Sequence, residues 1–379
     1  MTKHKIRVGI LFGGRSGEHE VSLTSARGIM KAIDKEKYEV VPIGITKEGR
    51  WMVGGDPMQA LRAATDTPPV LAAMSEEEPE SLQTVLVPLE PGPSALTTAD
   101  AALDVDVIFP VLHGPHGEDG TVQGLLELAG LPYVGAGVTA SSVGMDKAIA
   151  KDVFRTHGLP VLSYHVILRK TWERDRAGTA TLCETALRYP MFTKPANLGS
   201  SVGVSKADSR DELMAGLDEA ARFDRKLIVE QGIQAREIEV SVLGNDNPIA
   251  SVPGEIIPSR EFYSYAAKYI DVASDLLIPA PITHEQTEKI RELAIKAYTA
   301  IDCAGMARVD FLMDASTDEI WLNELNTIPG FTPISMYPKL WEATGISYTE
   351  LIDRLIQLAL DRHEDKGRSS TSFDTSTAT

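Results

Sequence analysis

The chain has few cysteines and no long hydrophobic run. Cys183 and Cys303 are its only two cysteines, and their wide separation gives no metal-type spacing. Such a pattern is typical of reduced thiols in an intracellular protein. The apolar stretch Val8–Phe12 is too short for a signal-peptide core, and no window reaches the length of a membrane span. We therefore expect a cytoplasmic protein with no membrane partner.

Basic residues are in the minority, with 37 lysines and arginines against 54 aspartates and glutamates and a net charge of -17. A surface of that sign repels phosphate backbones, so we expect no nucleic-acid partner. A nucleotide can still bind in a locally basic cleft. The 379 residues exceed one ordinary core, and 43% of them are hydrophobic, which indicates a globular protein of two or three domains.

The first third of the chain alternates strand and helix patterns. Ile6–Phe12 and Tyr38–Ile45 are apolar runs typical of buried strands, and apolar residues recur at helical spacing between them. A further strand is predicted over Val105–Leu112 and a helix near Val122–Ala129. This order indicates a doubly wound α/β domain with a parallel sheet. Residues 56–100, rich in proline, alanine and acid, are interpreted as a long peripheral excursion.

The remaining patterns predict a mixture of helices and strands. A helix over Lys147–His157 precedes a strand over Pro160–Leu168, and Val202–Val204 is predicted to flank a loop of small residues. An amphipathic helix near Tyr348–Arg362 ends the ordered pattern. The tail 367–379 is almost entirely serine, threonine, glycine and aspartate, so we expect it to be disordered.

The sequence lacks two common nucleotide-binding signatures, but it contains a different loop that suits a phosphate group. The chain has no Gly-Lys-Ser/Thr, and Gly135–Ala140 imitates a dinucleotide fingerprint without an acidic residue closing the next predicted strand. In Lys194–Gly203, two glycines and two serines allow the backbone to fold closely over an anion, and the lysine adds a positive charge. We interpret this loop as a phosphate site; the alternative is a plain hairpin turn.

Polar residues on two strands near the C-terminus form the strongest constellation. Arg308 and Asp310 share one face of a predicted strand, and Glu324 and Asn326 share one face of the next. A polar connection predicts a hairpin that brings the two carboxylates together. Burying them side by side requires a cation, and oxygen ligands suit magnesium. The alternative is a solvated outer face of an ordinary antiparallel sheet.

A lysine, a small Gly/Ser loop, an acid-ended strand and a carboxylate hairpin resemble the ATP-grasp arrangement, and the finer motifs resemble the D-alanine–D-alanine ligase family. The resemblance covers about residues 5–362, omitting the excursion and the tail. It is carried by Glu18–Ser22, Leu112–Gly114, Gly117–Gly120, Met145–Lys147, the loop from Lys194, Ala267–Tyr269, Gly305–Asp310 and Asn323–Thr332.

The resemblance implies an N-terminal doubly wound α/β substrate domain (1–146) followed by a two-part ATP-grasp module. The module comprises a central subdomain (147–234) and a C-terminal metal-binding domain (235–366). It further implies ATP-dependent joining of two D-alanine molecules through a D-alanyl phosphate, for peptidoglycan precursors. ATP, two magnesium ions (or Mn²⁺ in their place) and a homodimer through the first domain belong to the same expectation. A D-alanine–D-lactate ligase and a non-catalytic nucleotide-binding protein are the alternatives.

The resemblance also implies roles for individual residues. Those at ATP are Lys147, Lys194 and Ser201 at the phosphates, Glu230 at the adenine hinge and Glu237 at the ribose. Those at the metal ions are Asp310, Glu324 and Asn326. Those at the first D-alanine and the reacting group are Glu18, Ser200, Tyr269, His113, Arg308 and the backbone of Gly330. Ser335 and Met336 would bind the second D-alanine, and Lys268 lies beside Tyr269 in a predicted lid.

Several of these residues also have ordinary structural interpretations. Glu18 suits the start of a helix, Ser335 an N-cap, and His113 a satisfied structural histidine. Lys147 alone would be interpreted as a solvated helix residue and Tyr269 as lid packing. The combination of motifs, and no single residue, favours the ligase.

Overall fold

The computed structural model describes residues 4–66, 82–86, 91–257 and 275–370, and its strands form three sheets. Each sheet takes its strands from one continuous part of the chain. No helix in these ranges is long and apolar enough to cross a membrane.

The first sheet has the strand order β4-β3-β2-β1-β5. Its strands are β1 (Ile6–Gly13), β2 (Tyr38–Ile45), β3 (Trp51–Val53), β4 (Gln83–Thr84) and β5 (Val107–Val111). The associated helices are α1 (His19–Ala32), α2 (Pro57–Asp66) and α3 (Thr121–Leu128). β1 pairs in parallel with β2 and β5, whereas β3 and β4 add an antiparallel edge. The predicted α/β pattern is confirmed, because strands buried on both faces appear in sequence as apolar runs.

The predicted excursion is partly integrated into this sheet. α2 packs on β2, β4 forms the sheet edge, and Val85 and Leu96 are buried in the same apolar cluster as Ile43. The prediction of a peripheral excursion is therefore wrong for these parts, because a few well-placed apolar residues are enough to dock a proline-rich segment. The stretches 67–81 and 87–90 lie outside the described residues.

The second sheet is antiparallel, in the order β6-β9-β7-β8. It follows α4 (Val138–Met145) and α5 (Lys147–Thr156), and contains β6 (Tyr164–Leu168), β7 (Met191–Pro195), β8 (Ser205–Ala207) and β9 (Lys226–Gln231). Helices α6 (Arg169–Arg174), α7 (Arg176–Ala186) and α8 (Arg210–Phe223) belong to this part, and their apolar residues Trp172, Cys183 and Leu213 share one core with the sheet. The strand predicted from Pro160 begins only at Tyr164, and Val202–Val204 belongs to a turn before β8.

The third sheet is also antiparallel, in the order β13-β12-β10-β14-β15, with β11 beside β10. Its strands are β10 (Ala235–Gly244), β11 (Ile249–Ala250), β12 (Gly254–Ile257), β13 (Asp275–Leu277), β14 (Gly305–Asp314) and β15 (Ile320–Asn326). Helix α9 (His284–Ala300) packs on one face, where Val240 and Val309 are fully buried. Because successive side chains alternate between faces, Glu239 and Asp310 lie on the opposite face.

Two C-terminal helices, α10 (Met336–Thr344) and α11 (Tyr348–Gly367), return the chain to the first sheet. Leu351 and Leu355 of α11 belong to the same core as Val8, and Tyr38 Oη donates to Asp353 at 2.7 Å. Leu243 of β10 and Met306 of β14 belong to the same core, so α11 and this core hold the third sheet against the first sheet. The helix predicted near Tyr348–Arg362 is confirmed; residues 371–379 of the predicted tail lie outside the described residues.

Candidate active site

A buried cluster of two lysines and one glutamate lies between α5 and the second sheet. Lys194 of β7 and Lys151 of α5 both contact the carboxylate of Glu230 on β9, and Lys151 and Glu230 are each 2% exposed. Burial alone would raise the pKa of Glu230, but the two ammonium groups outweigh it and lower the pKa to about 2. This lysine cluster (Lys151, Lys194 and Glu230) holds one more positive than negative group, so it suits an anion.

The two lysines differ in the net shift of their pKa, although burial acts to lower both. It lowers the pKa of the Lys151 amine despite the nearby Glu230. For Lys194 the attraction and hydrogen bond of Glu230 outweigh the effect of burial, and its pKa is raised. Lys194 is therefore the lysine that keeps its charge most firmly, as a phosphate-binding group must.

The loop after Lys194 folds back over the start of α5. Ser200 and Ser201 have φ of 52° and 57°, a left-handed conformation that is uncommon outside glycine. Lys147 ties this loop to α5, since its Nζ donates to Leu198 O at 2.9 Å and its backbone N to Ala196 O at 3.0 Å. The loop joins the antiparallel strands β7 and β8, as the hairpin alternative expected, but it is also bound to Lys147 of α5.

Three carboxylates form a row across the polar face of the third sheet. In the strand register Glu239 of β10 lies opposite Asp310 of β14, which lies opposite Glu324 of β15. Arg308 donates to Asp310 through Nε and Nη2, both at 2.7 Å, and its Nε is 3.0 Å from Glu239 Oε2. Lys147 Nζ lies 3.3 Å from Glu324 Oε2 and so links this carboxylate row (Glu239, Asp310 and Glu324) to the loop after Lys194.

The predicted hairpin of β14 and β15 is confirmed, and its chemistry fits a divalent cation. Asn326 Nδ2 donates to Asp310 Oδ2 at 2.9 Å, which leaves its amide oxygen as the potential ligand atom. Carboxylate and amide oxygens are what Mg²⁺ prefers. Within the described ranges, however, no group of three or more His, Cys, Asp and Glu side chains is arranged to hold a metal. Asp310 is held by Arg308 and Glu324 by Lys147, so a cation has to displace these partners.

The lysine cluster, the loop after Lys194 and the carboxylate row together line what we call the cleft. Two acidic side chains of the N-terminal part of the chain lie beside it. Glu18, 9% exposed at the start of α1, accepts a hydrogen bond from Ser200 Oγ. Glu118 accepts from the backbone N of Gly114 at 2.9 Å; burial first, and the charge of Glu18 second, raise its pKa to about 8. A Cβ at Gly114 would lie 2.9 Å from Glu18 Oε2, so glycine keeps room beside that carboxylate. Glu18 is thus a charged group suited to an ammonium.

His113 supplies a buried acceptor in the same cleft. Its Nδ1 lies 3.1 Å from Ile328 O, and because a carbonyl only accepts, Nδ1 carries the hydrogen. Burial lowers the pKa of the imidazole, so the ring is neutral and Nε2 bears a lone pair. Among the described residues Nε2 has no hydrogen-bond partner. Nε2 can therefore accept a hydrogen bond from a bound group.

The start of α10 lies against the loop that contains Gly330. Ser335, its N-cap residue, accepts from Thr332 N at 3.1 Å, and a Cβ at Gly330 would lie 3.0 Å from Ser335 Oγ. The Met336 side chain is buried against Ile256 and Leu340. Any contact of Met336 with a bound carboxylate would therefore involve its backbone.

Family models and known proteins match this chain over almost its whole length. Residues 7–136 match the family model described as D-ala D-ala ligase N-terminus, and residues 153–357 match D-ala D-ala ligase C-terminus. The D-alanine–D-alanine ligase of Natranaerobius thermophilus is 50% identical over 98% of this chain and 100% of its own length. That of Heliobacterium modesticaldum is 51% identical over 97% of this chain and 98% of its own. The chain belongs to the D-alanine–D-alanine ligase family.

Solved structures of the family share the fold. The D-alanine–D-alanine ligase of Coxiella burnetii is 36% identical, with a TM-score of 0.82 and 97% of each chain covered. The VanG D-Ala:D-Ser ligase of Enterococcus faecalis is 35% identical, with the same TM-score, over 94% of this chain and 100% of that one. These ligases have an ATP-grasp fold, which is therefore the fold of this chain.

The structure brings most of the predicted residues to one cleft, with some differences in detail. The Glu230 carboxylate lies between two lysines, so a contact with adenine would have to come from the backbone at this strand end. Glu237 lies on the same face of β10 as Glu239, paired with Leu312 and Ile256. Lys268 and Tyr269 lie outside the described residues, and the lid stays a prediction.

Sequence reasoning missed Lys151, Glu118 and Glu239. Lys151 stands four residues after Lys147, on the buried side of α5 beside Ala148 and Phe154, a position where lysine is rare. Glu118 occurs in a family motif for which no role was inferred. Glu239 alternates with Glu237 along β10, a signal that this strand has a polar face.

Proposed function

We propose that this ligase uses ATP to join two D-alanine molecules, releasing ADP and phosphate, for peptidoglycan precursor synthesis. One observation carries the proposal: Lys147 contacts both the phosphate loop, at Leu198 O, and Glu324 of the carboxylate row. The Gly/Ser loop in turn contacts Glu18 through Ser200. A nucleotide, a cation and an amino acid bound at these three positions would share one cleft.

The first step would activate the carboxylate of the first D-alanine, which is a poor electrophile because of its charge. One of its oxygens attacks the γ-phosphorus of ATP, the bond from that phosphorus to ADP breaks, and a D-alanyl phosphate forms. Lys147 and Lys194 would offset the charge on the phosphate oxygens, and Glu18 would hold the ammonium. Asp310, Glu324 and Asn326 would hold Mg²⁺, or Mn²⁺, which when bound neutralises phosphate charge.

In the second step the amine of the second D-alanine attacks the acyl carbon, and the bond to phosphate breaks. The amine must first lose a proton, and the neutral His113 Nε2 is in the correct state to accept it. Arg308 and the backbone N–H of Gly330 would stabilise the oxyanion. One such donor is typically worth about 3 kcal/mol, or about a hundredfold in rate. Ser335 and the start of α10 would hold the second carboxylate.

A release assay for ADP with D-alanine, D-serine and D-lactate at equal concentrations tests the proposal. We expect ADP release to require D-alanine and the product, by mass spectrometry, to be mainly D-alanyl-D-alanine. L-Alanine is the matched control and should give no release. Predominant ester, or predominant D-alanyl-D-serine, would contradict the specificity while leaving the ligase chemistry intact. The homodimer and the cytoplasmic location stay predictions.

A further inference from the structure

Glu239 has no part in the reaction proposed above, yet it lies at the centre of the site. It is 6% exposed, faces Asp310 across the strands β10 and β14, and places Oε2 3.0 Å from Arg308 Nε. Burying a third carboxylate here is costly unless it has a specific partner. Arg308 is that partner, and its guanidinium contacts Asp310 at the same time.

Asp310 is the group for which Arg308 and a cation compete. Both of its oxygens accept from Arg308 at 2.7 Å, and Oδ2 also accepts from Asn326. Since Nε directs its hydrogen at Asp310, the 3.0 Å contact with Glu239 is an ion pair that is not aligned as a hydrogen bond. A small rotation of the guanidinium would give Glu239 the hydrogen that Asp310 now receives.

We propose that Glu239 is a positioning residue that retains the Arg308 guanidinium when Asp310 turns from Arg308 to a divalent cation. The inference rests on the proposed function for the reaction itself. Without Glu239, the buried arginine has Asp310 as its remaining carboxylate partner among the contacts described here, and binding the cation would leave a buried charge poorly paired. Glu239 thereby lowers the cost of metal binding and keeps Arg308 beside the reacting acyl group.

Metal binding tests this directly, without turnover. Affinity for Mn²⁺ in the presence of ADP can be measured by electron paramagnetic resonance for the wild type, Glu239→Gln and Glu239→Asp. We expect both variants to bind Mn²⁺ about tenfold more weakly, the usual scale for losing a residue that orients a metal ligand. Aspartate keeps the charge but is one methylene too short to reach Nε. Weakening in Glu239→Gln alone would show a long-range charge effect and overturn the positioning role.

The matched control is Glu255→Gln. Glu255 forms a pair of hydrogen bonds with Arg236 at 2.8 and 2.6 Å, and it lies on the other face of the same sheet. This variant also loses an Arg–Glu pair whose carboxylate is buried, so it shows what loss of sheet stability alone does. We expect its Mn²⁺ affinity to equal that of the wild type; an equal loss in Glu255→Gln would overturn the proposal.

Turnover adds a second measurement. At saturating ATP and divalent cation, Glu239→Asp should lower kcat about tenfold and leave KM for D-alanine nearly unchanged, because an orientation is lost and no contact with the amino acid. In an Arg308→Lys background the same change should cost almost nothing more, since residues that act through each other are not additive. Full additivity would overturn the proposal. If the wild type releases no ADP with D-alanine, the proposed function fails, whereas the Mn²⁺ measurement still decides the role of Glu239.

Discussion

The two charged clusters of the cleft balance their charges differently. In the lysine cluster, Lys151 and Lys194 share the single carboxylate of Glu230, so one positive charge is in excess. The carboxylate row carries three negative groups and is partly neutralised by Arg308 on β14 and by Lys147 on α5. The lysine cluster therefore has positive charge in excess, and the carboxylate row has negative charge in excess despite its two protein cations.

Because the two clusters differ in net charge, an anion and a cation should disturb the existing ion pairs to different extents. An anion can approach the lysine cluster without breaking its ion pairs, because the excess charge there is already positive. A cation can reach the carboxylate row only when Asp310 and Glu324 exchange their protein partners. Changes to the row should therefore disturb steps that depend on metal, and changes to the lysine cluster should disturb triphosphate binding.

The largest effect should come from breaking the carboxylate row. Asp310→Asn keeps the size of the side chain but removes a charge that the proposed cation needs. We expect ADP release to fall about a thousandfold, corresponding to about 4 kcal/mol of lost charge stabilisation. Asp314→Asn, at the exposed end of the same strand, is the control and should keep wild-type rates. Near-normal turnover of a folded Asp310→Asn protein would remove this residue from the metal site.

Breaking the lysine cluster should have a smaller and more selective effect. Lys194→Met removes the more firmly charged lysine while Lys151 still neutralises Glu230. Calorimetry should show ATP binding about 10- to 100-fold more weakly, with little change for adenosine, because a charged hydrogen bond is worth about 1.5–3 kcal/mol. Lys366→Met, which breaks an exposed pair with Glu127, is the control. Equal losses for ATP and adenosine would mean that Lys194 supports the fold.

The contrast between the clusters also explains what sequence could predict. The hairpin was predictable because strands alternate their faces, so Asp310 and Glu324 had to meet once the connection was short. The lysine cluster could not be predicted, because Lys151 lies on a helix, where lysines are usually solvated. Its partner Glu230 is distant in the chain, and one sequence does not show which buried charges pair. Nor did composition reveal that Leu96 of the proline-rich segment would be buried.

Local backbone detail was beyond the sequence as well. Asp310 pairs with Glu324 but Phe311 pairs with Leu322, so an irregularity shifts the register beside the carboxylate row. Such bulges redirect side chains next to active sites, and the residue types in this stretch do not predict one. The class of fold and the residue types of the site follow from the pattern, whereas partner choice depends on tertiary packing.

A third change tests how the phosphate loop connects to the first-domain acids. Ser200→Gly removes the hydroxyl that donates to Glu18 but tolerates the φ of 52°. We expect KM for D-alanine to rise up to about tenfold, since a hydrogen bond to a charged group contributes about 1.5 kcal/mol or more. Ser201→Gly adds the same backbone freedom at a φ of 57°, but it removes a hydroxyl predicted at the phosphates, so it should raise KM for ATP and not KM for D-alanine. The same rise in both variants would assign the effect to loop flexibility.

The smallest expected effect concerns Glu118, the acid that interacts with Glu18 and Lys147. Burial and Glu18 raise its pKa to about 8, against the Gly114 amide and Lys147, which lower it. A carboxyl with a raised folded-state pKa binds more protons in the folded than in the unfolded chain. Its contribution to stability is therefore complete below its unfolded pKa and is lost as pH rises through about 8. Glu118→Gln, which cannot ionise, should escape this loss.

Urea unfolding at pH 6 and pH 9 checks the sign. Relative to wild type, Glu118→Gln should gain about 1 kcal/mol on going to the higher pH, a value held down because the side chain is only partly buried. Glu127→Gln is the control of opposite sign: burial would raise the pKa of Glu127, but Lys366 and Tyr133 outweigh it and lower it. A lowered pKa stabilises the fold above the unfolded pKa, so Glu127→Gln should be the less stable protein at both pH values, with no relative gain at pH 9. A Glu118→Gln curve parallel to wild type would mean that Glu118 is ionised in the fold, and Glu18 would then have a second full negative charge beside it.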